Sequence, residues 1–366
     1  MTPYLIGRRA FLALTATSLL GAETASPGGK GSSFIYAPQH FLDRATELDL
    51  YRLTDPKYRS VMPAPHLHFV SRRGRFLIVC CERSGSMQAW RVDWHNGESR
   101  QLTSAAALDP SSVALTSDDR AVFFCDGPAI KQMALPSLRE REVARIESGW
   151  ERVPGFTVSL DGSQVVWVER SATRFRLRSI RTPRGEVESV IESAGEITDP
   201  QLRPRSTQLF FREGGVPRLL GAGDLPFDRS ADIGQVLWSP AGASLLYLSV
   251  PADRAKLTTI REYTLEDKKD RLISKTSQFA SFGVNGDASV FVGASRSLAS
   301  PYLLLLVRSV RRELTLCEHR SSDARLVNPV FSPDSQNVFF VSDRNGKPAV
   351  YRSHVERFVE ETDLEA

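Results

Sequence analysis

Short hydrophobic runs, each preceded by a polar turn, recur along most of the chain. Near the C-terminus, residues 331–343 read FSPDSQNVFFVSD, where a turn of Ser, Pro and Asp leads into aromatic and β-branched residues. Such a run between turn residues is typical of a β-strand. A second polar turn and further strand-like runs follow, and amphipathic helical periodicity is scarce. The pattern predicts an all-β protein.

The unit is repeated along the chain. Its copies begin at Val70, Leu115, Val158, Leu202, Trp238, Gly283 and Phe331. Units of about 44 residues with four short strands are typical of β-propeller blades. A single blade cannot bury both faces of its sheet, whereas a closed ring of blades buries them and removes most free edges. The sequence therefore predicts a seven-bladed β-propeller over residues 46–358.

The seventh unit is too short to form a complete blade. After Phe331 it supplies only about three strand-like runs before the chain ends. Residues 47–55, ELDLYRLTD, are similar to ESRQLT at residues 98–103, which ends the first unit. We therefore expect residues 47–54 to form the last strand of the seventh blade. The alternative is an unpaired N-terminal arm.

The N-terminus has the features of an export signal. Arg8-Arg9 precede an apolar stretch at residues 10–20, and small residues follow at Gly21-Ala22. This order predicts a signal peptide over residues 1–22. Arg-Arg-x-Phe-Leu resembles the twin-arginine motif, although Gly7 stands where that motif usually has Ser. The alternative is an uncleaved anchor, but the stretch is too short for a hydrocarbon core of roughly 30 Å.

The remaining boundaries follow from composition. Residues 23–45, which contain SPGGKGSS, are predicted to be a flexible linker, and residues 359–366 an acidic tail. We predict a periplasmic or secreted protein with no membrane span in the mature chain.

The 366 residues carry 47 Lys and Arg against 43 Asp and Glu, and the cations are scattered. This balance, together with the export signal, disfavours a nucleic-acid-binding protein.

The cysteines predict neither a disulfide framework nor a zinc site. Four in so long a chain are too few for such a framework, and none has zinc-ligand spacing. We interpret them as small buried hydrophobic residues. They are Cys80, Cys81, Cys125 and Cys317.

Several motifs resemble one known family. YRLTDP at residues 51–56, CERSGSMQAWRVDWHNGESRQLT at 81–103 and FSPDSQNVFFVSD are similar to oligogalacturonate lyase. The extended motif FSPDSQNVFFVSDRNGKPAVYR is also similar to the repeat of the Tol-system periplasmic protein. The lyase resemblance covers roughly residues 47–355. It implies a seven-bladed propeller with a divalent metal, typically manganese, at the top of the channel. The metal would bind substrate carboxylates while a basic residue removes the C5 proton of an acidic sugar.

The resemblance also implies where the metal ligands would lie. The family pattern Gln-x-x-His-x-His-Pro corresponds here to residues 323–329, with Asp323, Leu326 and Asn328 at the ligand positions. A further family histidine is missing from SQFASF at residues 277–282. Leucine cannot bind a metal, and an Asp and an Asn leave at most a weak, oxygen-rich site. The sequence therefore establishes no cofactor, and it leaves manganese binding open.

Two histidines form the one close pair. His66 and His68, in PHLHF, precede the first unit, and on a strand both imidazoles would face the same side. Such a pair is a candidate for metal binding or catalysis. The alternative is a pair of solvated or hydrogen-bonded strand residues.

Other candidates occupy equivalent repeat positions. Asp109, Asp199 and Asn328 each precede a proline, and Arg152 and Arg325 each lie shortly before a unit. We expect them at the channel mouth, where arginine would pair with ligand carboxylates. The alternatives are turn caps and ordinary ion-paired arginines.

Two functions therefore remain open at the level of sequence. One is an oligogalacturonate-lyase-like enzyme acting on an acidic oligosaccharide. The other is a non-catalytic periplasmic propeller that binds a protein or an acidic glycan.

Overall fold

A computed structural model describes residues 28–253 and 255–355. The predicted signal peptide and acidic tail lie outside these residues. No helix in the described part of the chain is long and apolar enough to cross a membrane. Two short 3-10 helices, Pro110–Ser112 and Ala324–Leu326, accompany the strands.

The strands follow one another along the chain. They are β1 (Ser33–Ile35), β2 (Gln39–Leu42), β3 (Asp49–Arg52), β4 (Ser60–Val61), β5 (Phe76–Cys81), β6 (Gln88–Asp93), β7 (Glu98–Gln101), β8 (Ala114–Leu115), β9 (Ala121–Asp126), β10 (Ala129–Ala134), β11 (Arg139–Arg145), β12 (Glu151–Val158), β13 (Gln164–Arg170), β14 (Phe175–Arg181), β15 (Val187–Ser193), β16 (Ile197–Leu202), β17 (Leu209–Glu213), β18 (Val216–Leu219), β19 (Gly223–Asp224), β20 (Asp232–Trp238), β21 (Ser244–Val250), β22 (Thr259–Thr264), β23 (Lys269–Lys275), β24 (Phe279–Val284), β25 (Val290–Ser295), β26 (Tyr302–Val307), β27 (Arg312–Glu318), β28 (Val330–Phe331), β29 (Asn337–Ser342) and β30 (Ala349–His354).

These strands form seven antiparallel sheets, which we number as blades in chain order. Blade 1 contains β4–β7 and β1, and blades 2 to 6 contain β8–β11, β12–β15, β16–β19, β20–β23 and β24–β27. Blade 7 contains β28–β30 with β3 and β2. The first strands of successive blades contact one another. For example, β12 contacts β16, and β24 contacts β28. They therefore surround a central channel, and the predicted seven-bladed propeller is confirmed.

The repeat seen in the sequence marks one structural position. Leu115, Val158, Leu202, Trp238 and Phe331 each end the first strand of a blade. The motif therefore spans the end of the inner strand, a tight turn and the second strand. We call the end of the channel where the first strands begin the upper face, and the end where they finish the lower face.

The second strand of each blade is the most deeply buried. All six residues of β5 and of β29 are buried, because neighbouring blades cover both faces of the sheet. This burial accounts for uninterrupted runs such as FLIVCC rather than alternation. The cysteines are all free and buried, as expected of small hydrophobic residues. Burial raises the pKa of the Cys125 thiol to about 12.

The ring is closed by the N-terminal segment. In β3, Leu50, Tyr51 and Arg52 pair with Ser353, Arg352 and Tyr351 of β30. The Val350 amide donates to Thr54 Oγ1 (2.9 Å) just beyond the paired residues. The prediction that residues 47–54 complete the last blade is confirmed.

The predicted linker at residues 23–45 is in part structured. β2 adds a fifth strand to blade 7, and β1 adds a fifth strand to blade 1 by pairing with β7. A Cβ on Gly97, which has φ +77, would collide with the Tyr36 carbonyl oxygen. The linker prediction was wrong for this part because β1 and β2 are short and mostly exposed, which leaves little hydrophobic pattern to recognise.

The closing strand offers a matched test of stability. Leu50 of β3 is fully buried, whereas Leu42 of the adjacent β2 is 56% exposed. We expect Leu50→Ala to lower the free energy of unfolding by about 2–5 kcal/mol, because it leaves a cavity between the two chain ends. Leu42→Ala should change it by less than about 0.5 kcal/mol. Urea denaturation of both variants measures this, and equal effects would contradict a closing role for β3.

Candidate functional site

The central channel contains a small cavity of about 140 Å³. Its walls come from the ends of the first strands of blades 3 to 6, from Val330 of blade 7, and from the segment between β4 and β5 of blade 1. His66 and His68 both line it. The inner strands thus bring the only paired histidines of the sequence to the channel.

The strand predicted for these histidines does not form. Residues 65–67 lie in a turn, in which the Leu67 amide donates to the Ala64 carbonyl (2.9 Å). His66 Nε2 is 2.9 Å from the Phe156 carbonyl oxygen. Since a carbonyl only accepts, Nε2 carries the proton of His66. Burial lowers the pKa of both His66 and His68, so both are neutral near pH 7.

His68 differs from His66 in its hydrogen bonding. Within the described residues, its buried Nε2 has no hydrogen-bond partner. The charge of Asp119 opposes, but does not overcome, the lowering of the His68 pKa by burial. The structure brings His66 and His68 to one cavity but gives them different environments.

Asp109 and Arg152 form an ion pair that joins blades 2 and 3. Arg152 Nη1 is 2.7 Å from Asp109 Oδ2, and both side chains are more than four-fifths buried. Asp109 also caps the 3-10 helix that follows it, accepting from the Ser111 amide (3.0 Å) and Ser111 Oγ (2.7 Å). In the structure, Asp109 is therefore a turn cap and Arg152 is an ion-paired arginine, which are the alternatives given for them in the sequence analysis.

Asp199 is engaged in a similar way. It lies in β16 at a break in pairing with β17, has φ +51, and its carboxylate is 3.0 Å from Arg212 Nε. Arg212 also donates to the carbonyls of Ile233 and Gly234. Burial lowers the pKa of Arg212, and the charge of Asp199 opposes this. Sequence reasoning missed Arg212, because only the fold brings β17 beside the start of β20.

The stretch at residues 323–329 lies at the upper face between blades 6 and 7. Asp323 caps the second 3-10 helix through the Arg325 amide (2.9 Å) and also pairs with the Arg325 guanidinium (2.8 Å). This pairing lowers the pKa of Asp323. Leu326 is 58% exposed and Asn328 has φ +43. The Asp323 carboxylate is therefore already committed to its own turn and to Arg325.

A cavity of about 440 Å³ opens beside this stretch. Residues 295–298, which follow β25, form one wall, and residues 319–325 form another. Arg296 and Arg325 bring two positive charges against the single carboxylate of Asp323. Leu298 is 95% exposed at the rim. The cavity therefore combines cations, serine hydroxyls and several apolar side chains, of which Leu298 is the most exposed.

His319 forms the floor of this cavity and was not singled out in the sequence. Its Nε2 donates to the Ser295 carbonyl (2.8 Å), and its Nδ1 accepts from the Ser321 amide (3.0 Å). Burial lowers its pKa. Its role is to fix the two walls against each other, and no sequence signal pointed to it, since its partners are backbone groups.

Metal binding is not favoured by these positions. Among the described residues, no group of three or more His, Cys, Asp and Glu is arranged to hold a metal ion. At the upper cavity, the potential oxygen ligand Asp323 is paired with Arg325. The donor set does not fit a resident manganese ion, which prefers several unpaired oxygen or imidazole ligands.

Comparison with known proteins gives one recurring result. The sequence is 22% identical to oligogalacturonide lyase of Pectobacterium atrosepticum, over 89% of this chain and 98% of that protein. It is 20% identical to oligogalacturonate lyase of Dickeya dadantii, with the same coverage. The chain resembles the oligogalacturonate lyases. No family model matches it.

Solved structures support the lyase-like fold. An oligogalacturonate lyase in complex with manganese aligns with a TM-score of 0.81 at 20% identity, over 89% of this chain and 98% of that one. The Vibrio parahaemolyticus enzyme gives a TM-score of 0.81 at 18% identity, over 89% and 99%. TolB from Acinetobacter baumannii reaches only 0.43, too low to support an inference. The lyase-like propeller therefore spans nearly the whole described chain.

The neutral His319 predicts a pH dependence of stability. The unfolded chain takes up a proton on this imidazole as the pH falls through the usual pKa of 6.5, whereas the folded protein takes it up only at a lower pH, because burial lowers the His319 pKa. Stability should therefore fall as the pH drops from about 7.5 to 5, because the unfolded state binds more protons. His319→Gln should reduce the slope of stability against pH. The remaining slope should come from His66 and His68, whose pKa values are also lowered.

Chemical denaturation at several pH values measures the slope. Ser297→Ala is the matched control, because it alters the same cavity without removing a titrating group. An unchanged slope in His319→Gln would contradict a neutral His319 in the folded protein.

Proposed function

We propose that the protein binds acidic oligosaccharides, such as oligogalacturonate, in the upper cavity without manganese-dependent elimination. The observation that carries this proposal is that Arg296 and Arg325 line a single open cavity. Guanidinium groups pair with planar carboxylates through two parallel hydrogen bonds. The similarity to lyases named for oligogalacturonate supports a uronate as the carboxylate-bearing ligand.

The other features of the cavity suit a sugar. Arg296 is held by Gln278, with its Nε 3.0 Å from the amide oxygen, so its position is set before a ligand binds. Arg325 is 78% exposed and can exchange Asp323 for a ligand carboxylate. The exposed Leu298 can cover an apolar face of a sugar ring, while Ser297 supplies a hydroxyl. Binding sites commonly combine an apolar surface with a few placed polar groups.

Elimination is left out of the proposal for a chemical reason. Removal of a proton next to a carboxylate requires strong stabilisation of the negative charge that develops. The stretch that corresponds to the family's ligand positions has Leu326 and Asn328, and Asp323 is paired with Arg325. A ligand carboxylate can be held by arginine there without being activated for proton removal.

The proposal is tested by calorimetric binding of trigalacturonate to the wild type and two variants. Arg296→Ala and Arg325→Ala should each weaken binding about tenfold, since a charge-assisted hydrogen bond contributes about 1.5–3 kcal/mol. Arg320→Ala is the matched control, because Arg320 is exposed nearby but pairs with Glu318. A neutral galactose trimer should not bind. Failure of trigalacturonate to bind, or equal effects of all three variants, would refute the proposed site.

The absence of elimination needs a separate assay. Formation of unsaturated product is followed by ultraviolet absorbance with added manganese, and the metal content of the purified protein is measured alongside. We expect neither product nor bound manganese. Product formation that disappears in a His66→Ala/His68→Ala variant would instead indicate catalysis at the central cavity.

We also propose that the chain is exported to the periplasm by the twin-arginine route. Changing Arg8 and Arg9 to Lys should leave unprocessed precursor in the cytoplasm, because the route requires the arginine pair. Cell fractionation followed by immunoblotting measures this. Arg44→Lys, at an exposed position between β2 and β3, is the control. Normal export of the Arg8→Lys/Arg9→Lys variant would favour the general secretory route.

A further inference from the structure

A third cavity, larger than the central and upper ones, lies at the lower face of the channel. It measures about 670 Å³ and is formed at the lower face by the turns that follow the first strands of blades 1 to 4 and 7. Its lining includes Arg72, Ser117, Ser159, Arg205 and Thr207. These residues come from four different blades, so only the assembled ring brings them together.

The two arginines of this cavity are available to a ligand. Among the described residues, neither the Arg72 nor the Arg205 side chain forms a hydrogen bond or ion pair with a neighbour, and both are exposed. The cavity's own carboxylate, Asp161, is occupied in its turn by Ser159 Oγ (2.6 Å) and the Ser163 amide (3.0 Å). The cavity therefore holds two arginines without a direct partner beside one carboxylate, Asp161, and several hydroxyls.

His68 provides an independent sign of a ligand. It lines this cavity as well as the central one, and its buried Nε2 is unpartnered in the described part of the chain. A buried polar atom without a partner is destabilising. His68 Nε2 is one of fourteen such side-chain atoms in the described residues, and because its residue lines an open cavity it fits a group that binds there.

The turn that carries Arg205 departs from the repeat. In the other six blades, the fourth residue of this turn has positive φ: Gly74, Asp119, Gly162, Gly242, Ala288 and Ser335. In blade 4 the turn runs from Arg203 to Ser206, and the positive φ (+57) falls on Arg205, its third residue. Non-glycine residues also have positive φ in three of the other turns, at Asp119, Ala288 and Ser335, so the conformation is tolerated at a modest cost. Blade 4 differs in that the residue in this conformation is an arginine that lines the cavity.

We propose that the lower cavity is a second binding site for a small polyhydroxylated anion, held by Arg72, Arg205 and His68. Arginine binds carboxylate and phosphate alike, so the ligand is a sugar acid or a sugar phosphate. The hydroxyls of Ser117 and Thr207 lie where they can contact the sugar. The proposal does not depend on the upper cavity, which lies at the other end of the inner strands.

Calorimetric titration of the full chain with galacturonate, glucose 6-phosphate and inorganic phosphate tests the site. Arg205→Gly is the decisive variant, because it removes the cation and relieves the strained backbone together. It should weaken binding of the preferred sugar anion by about tenfold, while its melting temperature stays the same or rises. Arg72→Ala should weaken binding similarly. If galacturonate binds more tightly than glucose 6-phosphate, the ligand is a sugar acid; if glucose 6-phosphate binds more tightly, it is a sugar phosphate.

Arg73→Ala is the control, because it removes a neighbouring exposed arginine that does not line the cavity. It should leave binding of these small anions unchanged. Arg296→Ala alters the upper cavity and shows whether a small anion binds there instead. The proposal is overturned if no anion binds, or if inorganic phosphate binds as tightly as both sugar anions. It is also overturned if the Arg72→Ala/Arg205→Gly variant binds the anions normally, or if Arg296→Ala alone abolishes binding.

Discussion

The pairing of β3 with β30 is the constraint on which the rest of the propeller depends. Without it, blade 7 would expose the edge of β30, and the first and last blades would be joined only by side-chain packing, such as Trp94 against Phe339, and by a few backbone hydrogen bonds, such as that from the Ser60 amide to the Pro348 carbonyl. Because the ring is closed, each blade lies between two others, and strands such as β5 and β29 are covered on both faces. The upper and lower faces consist of turns, which are free to differ in sequence.

The fold was readable from the sequence because the propeller repeats one unit. The turn before the second strand has the same form in most blades, and the uniformly hydrophobic second strand leaves a clear signal. The missing fourth strand of blade 7 could be assigned because β3 resembles the end of the first unit. β1 and β2 escaped prediction because their residues are mostly exposed, and their pairing is set by edges that only the closed ring creates.

The candidate sites were less predictable, because repeat position does not determine a side chain's partners. Arg152 and Arg325 occupy equivalent positions in sequence, yet Arg152 is enclosed with Asp109 while Arg325 remains exposed beside Asp323. Asp109 and Asp199 both precede proline, and each is matched by an arginine from a different element. Such partners are distant in the chain, so no local pattern indicates which charges are neutralised. His319 was overlooked for the same reason.

The lower cavity differs from the upper rim of the channel in how its arginines are partnered. At the upper rim, Arg152 pairs with Asp109 of blade 2, and Arg212 pairs with Asp199 of its own blade and donates to the carbonyls of Ile233 and Gly234 in blade 5. These contacts join blades and leave neither side chain free for a ligand. Arg72 and Arg205 lie on turns that the propeller can form without a cation. Arg205 also has a backbone conformation that glycine would adopt with less strain. The six other turns place positive φ one residue later, on glycine in three blades and on Asp119, Ala288 or Ser335 in the others, so the fold itself does not require an arginine in blade 4.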